Sequence, residues 1–216
     1  MTKAQLHLSG DAAADKLISA NPFALLVGMV LDQQIPLEWA FTGPKLLRER
    51  LGGKLDAKTV AATDETELAA AFSARPALHR FPSSMARRVH ELARVVVSDY
   101  GGDPSRLWRT AASAEELLRR LKDLPGFGDQ KAKIFVALLG KQLGVQPDGW
   151  QEVSTPYGEP DAKASIADIE SPETLALVRE NKKTMKQAVV QAQAARKSGR
   201  GTPDAPAGGR KAARRT

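Results

Sequence analysis

The sequence contains no cysteine, few aromatic residues and no long apolar run. Without cysteine there can be no disulfide framework, no cysteine-ligated zinc and no cysteine-held iron–sulfur cluster. The longest apolar run, Phe23 to Leu31, is far shorter than the roughly 20 residues that a membrane-spanning helix needs. The first residues lack the apolar segment of a signal peptide, and no group of side chains has metal-ligand spacing. We therefore expect a cytoplasmic protein that contacts no membrane and holds no metal through its side chains.

The formal net charge of +7 is concentrated at one end of the chain. Seven Lys/Arg and one acid lie between Arg196 and Thr216, so this segment carries +6 of the total. Its Gly, Pro, Ala and Arg content predicts a disordered basic tail at residues 198–216. The tail either binds polyanions without sequence preference or only keeps the protein soluble. Residues 1–195 therefore carry only +1, so net charge alone is weak support for DNA binding by the predicted folded domain, residues 1–197.

Helical patterns run from one end of this domain to the other and predict an all-α fold. Asn21 and Pro22 form an N-cap and first-turn pair ahead of Phe23 to Leu31, a helix apolar on every side and therefore buried. Leu37 to Leu51 predicts either a helix or, because Gly43-Pro44 lies within it, a broken helix, and Ser83-Ser84 predicts the cap of a later helix. No segment has the alternating pattern of a strand.

A proline-glycine turn lies between two of these helical patterns, at Leu124-Pro125-Gly126-Phe127-Gly128. Pro125 restricts one backbone angle, while Gly126 and Gly128 allow positive φ and let other groups approach the backbone. The helix that follows would point its bare N–H groups and partial positive charge outwards, which suits a phosphate. Residues 114–143 thus form either a phosphate-binding helix-hairpin-helix or an ordinary pair of helices joined by glycines.

A second polar segment, Asp32-Gln33-Gln34-Ile35-Pro36, follows the buried helix at once. Polar groups at the end of a buried helix must find hydrogen-bond partners. The partner is either a bound ligand or, if these residues only cap the helix and form the turn at Pro36, the protein itself.

Together these features resemble the helix-hairpin-helix (HhH-GPD) DNA glycosylases, the superfamily that includes endonuclease III and the adenine glycosylase. Asp148 lies 18 residues after Gln130, the spacing that the family shows between its optional lysine and its essential Asp. Leu31 to Ile35 resembles the Leu-x-Gln-Gln-Thr segment of the adenine glycosylase branch, and Asp148-Gly149 resembles that branch's Asp-Gly. The resemblance covers roughly residues 22–150. The chain also resembles an uncharacterised bacterial branch that has no iron–sulfur cluster.

The resemblance implies a two-lobed helical protein that binds double-stranded DNA as a monomer, is associated with the nucleoid, and releases a damaged or mispaired base. Asp148 would be the catalytic carboxylate, stabilising the sugar cation and orienting water. Leu124, Gly126 and Gly128 would grip a DNA phosphate, in the family often with a monovalent cation at the hairpin and with no other cofactor. Gln34, or else Gln33, would fill the space left by the extruded nucleotide.

Three departures from the family pattern shape the prediction. Gln130 stands where members with lyase activity have a lysine, which predicts a hydrolase without that activity. Lys131 is turned by about 100° from that position, so we expect Lys131 and Lys133 to face a phosphate or solvent, beside Gln130 on the DNA-binding surface. Met29 replaces the catalytic Glu of the adenine glycosylase, while Asp32 lies on nearly the same helix face and is a candidate second acid.

Candidates for a base pocket are Met29, Trp39 and Trp150, although tryptophan often belongs to the core instead. Two other functions stay open from the sequence. One is a lesion-binding protein of the same fold without turnover, against which a buried Asp148 would argue. The other is a glycosylase with lyase activity through Lys131.

Overall fold

The structure, a computed structural model, describes residues 5–180. This part of the chain contains ten α-helices, one 3-10 helix, a further helical segment at residues 172–180 and no strand, so the all-α prediction is confirmed. The predicted tail at 198–216 and the continuation of the helical residues 172–180 lie outside the described range. The helices are α1 Ala12–Ala20, α2 Pro22–Leu31, α3 Leu37–Arg50, α4 Ala57–Ala62, α5 Glu65–Ser73, α6 Pro82–Tyr100, α7 Arg106–Arg109, α8 Ala114–Lys122, α9 Asp129–Gln142, α10 Trp150–Val153 and the 3-10 helix Ile166–Asp168.

The second helix, α2, is the centre of the fold. Asn21 caps it by accepting hydrogen bonds from the N–H groups of Phe23 and Ala24 at 2.9 and 3.1 Å. Every residue after Pro22 is buried, as its uniformly apolar sequence predicted. A Cβ added to Gly28 would lie 2.6 Å from the Phe41 ring, so this glycine permits the close packing of α2 against α3.

Of the two alternatives for residues 37–51, the broken helix is wrong, because α3 continues through Gly43 and Pro44. A Cβ on Gly43 would lie 2.6 Å from Leu31 of α2, so the glycine is needed for packing rather than for a turn. A proline inside a helix costs about 3 kcal/mol locally. Burial of Phe41 and Leu47 in the core offsets that cost. The start of α6 also differs from prediction, since Phe81 precedes its first residue and Ser83-Ser84 lie within its first turn.

The helices pack in three sets around α2 and the helical hairpin. α1, α2 and α3 pack together, and residues 172–180 join them through the ion pair between Arg179 and Glu38 at 2.8 Å. α4 and α5 pack on α6, which also contacts α2. α8 and α9 form the helical hairpin, and Phe127 of its turn packs edge-on against Phe135 with ring centroids 5.9 Å apart.

The segment after α10 runs back along α9. At the C-terminal end of α9, Lys141 Nζ bonds to the Asp168 carboxylate at 2.6 Å, and the pair is largely buried. Gln142 Nε2 donates to the carbonyl oxygens of Ile166 and Ala167 at 3.1 and 2.9 Å. At the other end of α9, Gln130 Nε2 donates to the Tyr157 hydroxyl at 2.8 Å. The segment is thereby held against α9 at both of its ends.

No single helix within residues 5–180 has the length and apolar character to cross a membrane. α1 and α2 pass such a test only as a pair, by length and composition, and they meet at a bend of 116°.

Candidate functional site

A cleft of about 450 Å³ opens where the end of α2, the start of α9 and the returning segment meet. Its apolar surface comes from five residues and its polar surface from six. The apolar residues are Met29, Ile134, Pro156, Ala164 and Ile166, and the polar ones are Asp32, Gln33, Gln34, Gln130, Lys131 and Tyr157. The cleft therefore unites the segment after α2 with the first turn of the hairpin's second helix, which the sequence analysis identified as separate motifs.

Lys131 is the cation of this cleft. Its ammonium donates to the carbonyl oxygen of Met29 and, at 3.4 Å, to that of Val30. Burial lowers the pKa of Lys131 to about 8. The negative charge of Asp32 raises this pKa, and the positive charge of Arg88 lowers it further. The expectation that Lys131 faces open solvent is wrong, because the side chain points back towards α2 and lines the cleft, whereas its contact with a phosphate stays a prediction.

Gln33 completes the cap at the end of α2. Its backbone N–H donates to the carbonyl oxygen of Leu31 at 2.7 Å, and its Nε2 donates to that of Val30 at 2.6 Å. Arg88 Nη1 then donates to Gln33 Oε1 at 3.1 Å. The interpretation of this segment as a helix cap is therefore correct for Gln33, although its side chain also lines the cleft.

Gln34 lies at the rim of the cleft in a strained conformation. Its φ of 57° is the one positive φ of a non-glycine residue in the described part of the chain. Its side chain is exposed. Such left-handed backbone costs a non-glycine residue energy and is frequent where a side chain has a function.

His79 connects this rim to the corner that precedes α6. Its Nε2 donates to the backbone carbonyl of Gln33 at 2.8 Å, while Nδ1 accepts from the N–H of Phe81 at 3.0 Å, which places the proton on Nε2. Phe81 is 45% exposed, and the Arg80 guanidinium lies 4.8 Å from its ring centre. An exposed aromatic residue next to a positive charge is a surface on which a nucleic-acid base can stack.

The glycine hairpin has the predicted tight turn, with different roles for its two glycines. Gly126 has a φ of 84°, and a Cβ there would lie 2.7 Å from Arg88 Cδ. Gly128 has a φ of −100°, so of the two glycines only Gly126 adopts the positive φ that both allow. It is the N-cap of α9 without a side-chain cap, and a Cβ there would meet nothing within 4 Å. Leu124 is buried and anchors the turn.

Charged residues surround the first turn of α9. Asp129 accepts from Lys122 at 2.9 Å and pairs with Lys133 at 3.2 Å. These contacts hold the pKa of the Asp129 carboxyl below its usual value, and the hydrogen bond from Lys122 contributes most. Lys133 is thus engaged within the hairpin, next to the amides that the sequence analysis assigned to phosphate.

Asp148 does not belong to the cleft. The Asp148 side chain is exposed. The next residue, Gly149, lies near the start of α8, since a Cβ built on it would be 3.9 Å from Glu115 Oε1. Trp150 packs its ring directly on Gly140. Gly140 lies about 14 Å along the helix axis from Lys131, at a rise of about 1.5 Å per residue. The expectation of a buried acid at position 148 is wrong, because the chain returns to the cleft only at Pro156 and Tyr157.

Neither tryptophan proposed for a base pocket lines the cleft. Trp39 Nε1 donates to the carbonyl oxygen of Ala77 at 3.2 Å, and Trp150 packs on α9. Both fit the alternative of structural packing, whereas Met29 does line the cleft. Sequence reasoning missed Tyr157 and the connecting role of Arg88 and His79, since no local pattern marks long-range contacts of this kind.

Comparison with known proteins yields one match. No curated protein and no solved structure is significantly similar to the chain. The model of the HhH-GPD superfamily of base excision DNA repair proteins matches residues 27–198, which include the end of α2, the helical hairpin and the whole cleft. The chain belongs to the HhH-GPD superfamily of base excision DNA repair proteins, which supports a role of the DNA glycosylase type and the binding of DNA.

Proposed function

We propose that this protein is a DNA glycosylase that hydrolyses the N-glycosidic bond of a damaged or mispaired base in duplex DNA, at the cleft between α2 and α9. One observation carries the proposal. The first turn of α9 begins with amides that have no side-chain cap, and it places Gln130 and Lys131 in the cleft beside Asp32. A phosphate held by those amides would bring the adjoining sugar close to the polar wall of the cleft.

Asp32 is the carboxylate that we assign to the reaction. Loss of a base builds positive charge on the sugar, and a fixed carboxylate in the cleft stabilises that charge and orients the attacking water. Asp32 has this location and Asp148 does not. The sequence-based assignment of Asp148 as the principal acid therefore passes to Asp32, the candidate second acid.

The rim of the cleft supports extrusion of a nucleotide. Gln34 projects from a strained turn, and Phe81 is exposed at the corner that His79 links to the same turn. We propose that these two side chains contact the DNA bases next to the extruded nucleotide. Extrusion costs a few kcal/mol and is easiest at a weakened base pair, which contributes to selectivity.

Lys131 supports a second candidate function, strand cleavage after base removal. A pKa of about 8 leaves a useful fraction of the amine unprotonated near neutral pH. The free amine would add to the C1′ aldehyde of the abasic sugar and lose water to form an imine, which permits β-elimination of the 3′ phosphate. Its bonds to Met29 and Val30 favour the structural role instead, so the hydrolase remains the main proposal.

A lesion-binding protein without turnover is the remaining alternative. The exposed position of Asp148 removes the argument that a buried acid at that residue requires catalysis. Asp32 and Lys131 together in the cleft support a reaction.

A panel of duplexes with deaminated, oxidised, alkylated and mismatched bases tests the proposal. Each duplex is incubated with the wild type, Asp32→Asn and Asp148→Asn, and strand breaks are scored with and without alkali. Base release by the wild type and by Asp148→Asn, revealed by alkali, and its loss in Asp32→Asn support the hydrolase. Breaks without alkali, together with a covalent adduct trapped by borohydride, support the lyase. No release from any duplex contradicts both.

A further inference from the structure

Arg88 on α6 has an environment that its sequence position does not suggest. Helical periodicity places it on the outer side of α6, whereas the structure shows it half-buried between the hairpin and the end of α2. Its neighbour Arg87 is exposed.

The two ends of the Arg88 side chain contact different parts of the site. The aliphatic stem packs against Gly126, where a Cβ would lie 2.7 Å from Cδ and 3.2 Å from Cγ. Val30 closes the same space from α2, 3.3 Å from that Cβ position. The guanidinium donates to Gln33 Oε1 at 3.1 Å. One side chain thus joins the hairpin to the cap of α2.

Gln33 and Lys131 share the carbonyl oxygen of Val30. Gln33 Nε2 donates to it at 2.6 Å and Lys131 Nζ at 3.4 Å. A displacement of the Gln33 amide therefore changes the partners available to Lys131. The charge of Arg88 also acts on Lys131 directly, since it contributes to the lowered pKa of that amine.

We propose that Arg88 is a positioning residue that couples the phosphate-binding hairpin to the cleft, by supporting Gly126 with its stem and fixing the Gln33 amide with its guanidinium. The inference rests on the proposed function, because it assumes that the hairpin holds DNA and that the cleft receives a nucleotide. Arg88 itself touches no reacting atom. Through Arg88, binding of DNA at the hairpin favours the ordered conformation of the end of α2.

Three variants separate the contributions of Arg88. Arg88→Met retains an unbranched apolar stem but removes the charge and the hydrogen bond to Gln33. Gln33→Met removes the same hydrogen bond from the other side. Arg87→Met is the matched control, because it removes one positive charge from the same helix at an exposed residue for which the described part of the chain shows no ion pair or hydrogen bond.

The first measurement needs no DNA. Hydrogen–deuterium exchange of the free protein is followed in peptides that cover residues 32–35 and 124–129. We expect Arg88→Met to accelerate exchange in residues 32–35, which lose the hydrogen bond at Gln33, and also in the hairpin, because the stem that packs on Gly126 is no longer held in place by the guanidinium. Arg87→Met should leave both segments unchanged. Exchange that stays at the wild-type rate in the hairpin of Arg88→Met overturns the coupling, whatever the DNA results are.

The second measurement compares affinity for a duplex with a tetrahydrofuran abasic analogue and for the undamaged duplex. We expect Arg88→Met to lower the ratio of the two affinities about tenfold, the effect of losing one charged hydrogen bond. Gln33→Met should give a similar loss, and the double variant no more than either. A fall of both affinities by the same factor, as the loss of any surface charge or of folded protein would cause, overturns the proposal.

If the wild type binds neither duplex, the proposed function fails, and the exchange experiment still decides whether Arg88 couples the two segments.

Discussion

Lys131 donates from its Nζ to the backbone carbonyl of Met29, and this contact joins the first turn of α9 to the last turn of α2. Carbonyl groups at the end of a helix have no partner within it, and a cation there also interacts favourably with the helix dipole. Lys131 therefore contributes to the fold and lines the cleft at once. Variants at this residue must accordingly be checked for stability before activity is compared.

Replacement of Asp32 by Asn should lower the rate of base release about 100-fold or more, because the sugar cation loses the carboxylate of the cleft. Asp148→Asn should retain activity, since its side chain is exposed and lies at the far end of α9. Single-turnover rates on the best duplex of the panel measure both effects. The opposite order of the two variants would return the catalytic assignment to Asp148.

If Lys131 has the lyase function, the second candidate, its trapping on an abasic duplex by borohydride should rise with pH and reach half of its maximum near pH 8. The amine is the reactive form, and burial disfavours the charged form, so the free amine appears at lower pH than for an ordinary lysine of pKa about 10.4. About a tenth is free at pH 7. Lys131→Met should abolish trapping; an adduct that persists in this variant assigns it to another amine.

Asp129→Asn should strengthen DNA binding several-fold at low salt. The change removes a negative charge from the first turn of α9 and frees Lys122 and Lys133, which now pair with it. More cations available to phosphate also make binding more dependent on salt. Affinity measured between low and physiological salt gives the slope, which should steepen. A slope equal to that of the wild type would place the hairpin away from DNA.

Gly126→Ala and Gly128→Ser should have different effects on the folded protein. Gly126 has positive φ and packs on Arg88, so alanine there should destabilise the protein by about 1–2 kcal/mol. Gly128 has ordinary φ and open space, and serine is a good N-cap, so Gly128→Ser should keep or slightly raise the Tm. Its hydroxyl would occupy an amide of α9 and weaken DNA binding. Calorimetry and DNA titration separate the two outcomes.

Gln34→Gly should stabilise the protein by about 0.5–1 kcal/mol, because glycine adopts positive φ without the cost that a side chain incurs. The same variant should bind undamaged DNA like the wild type and lose preference for a duplex with an extruded or missing base. Thermal unfolding and the two affinities test this pair of effects. Lower stability would show that the exposed Gln34 side chain contributes more to the fold than its backbone costs.

Local chemistry in the sequence predicted the all-helical fold and the motifs, but not the continuity of α3 or the first residue of α6. Asn21 and Pro22 predicted the start of α2, the uniform apolar pattern predicted its burial, and the glycine turn predicted the helical hairpin. Helix caps, turns and periodicity act over a few residues, so these features follow from neighbouring side chains. The family resemblance also rested on such local motifs, and the superfamily match confirms it.

Long-range packing decided which side chains enter the cleft. The sequence spacing of Asp148 matched the family, but the path after α9 carries that residue away and returns Tyr157 in its place. Lys131 is turned from the family's lysine position, yet it enters the cleft because the carbonyl groups at the end of α2 lack partners within the helix. Arg88 likewise became part of the site only because Gly126 and Gln33 meet it from distant parts of the chain. The sequence thus identified the helices and motifs, while the chemistry of the cleft depends on contacts between residues that no short pattern connects.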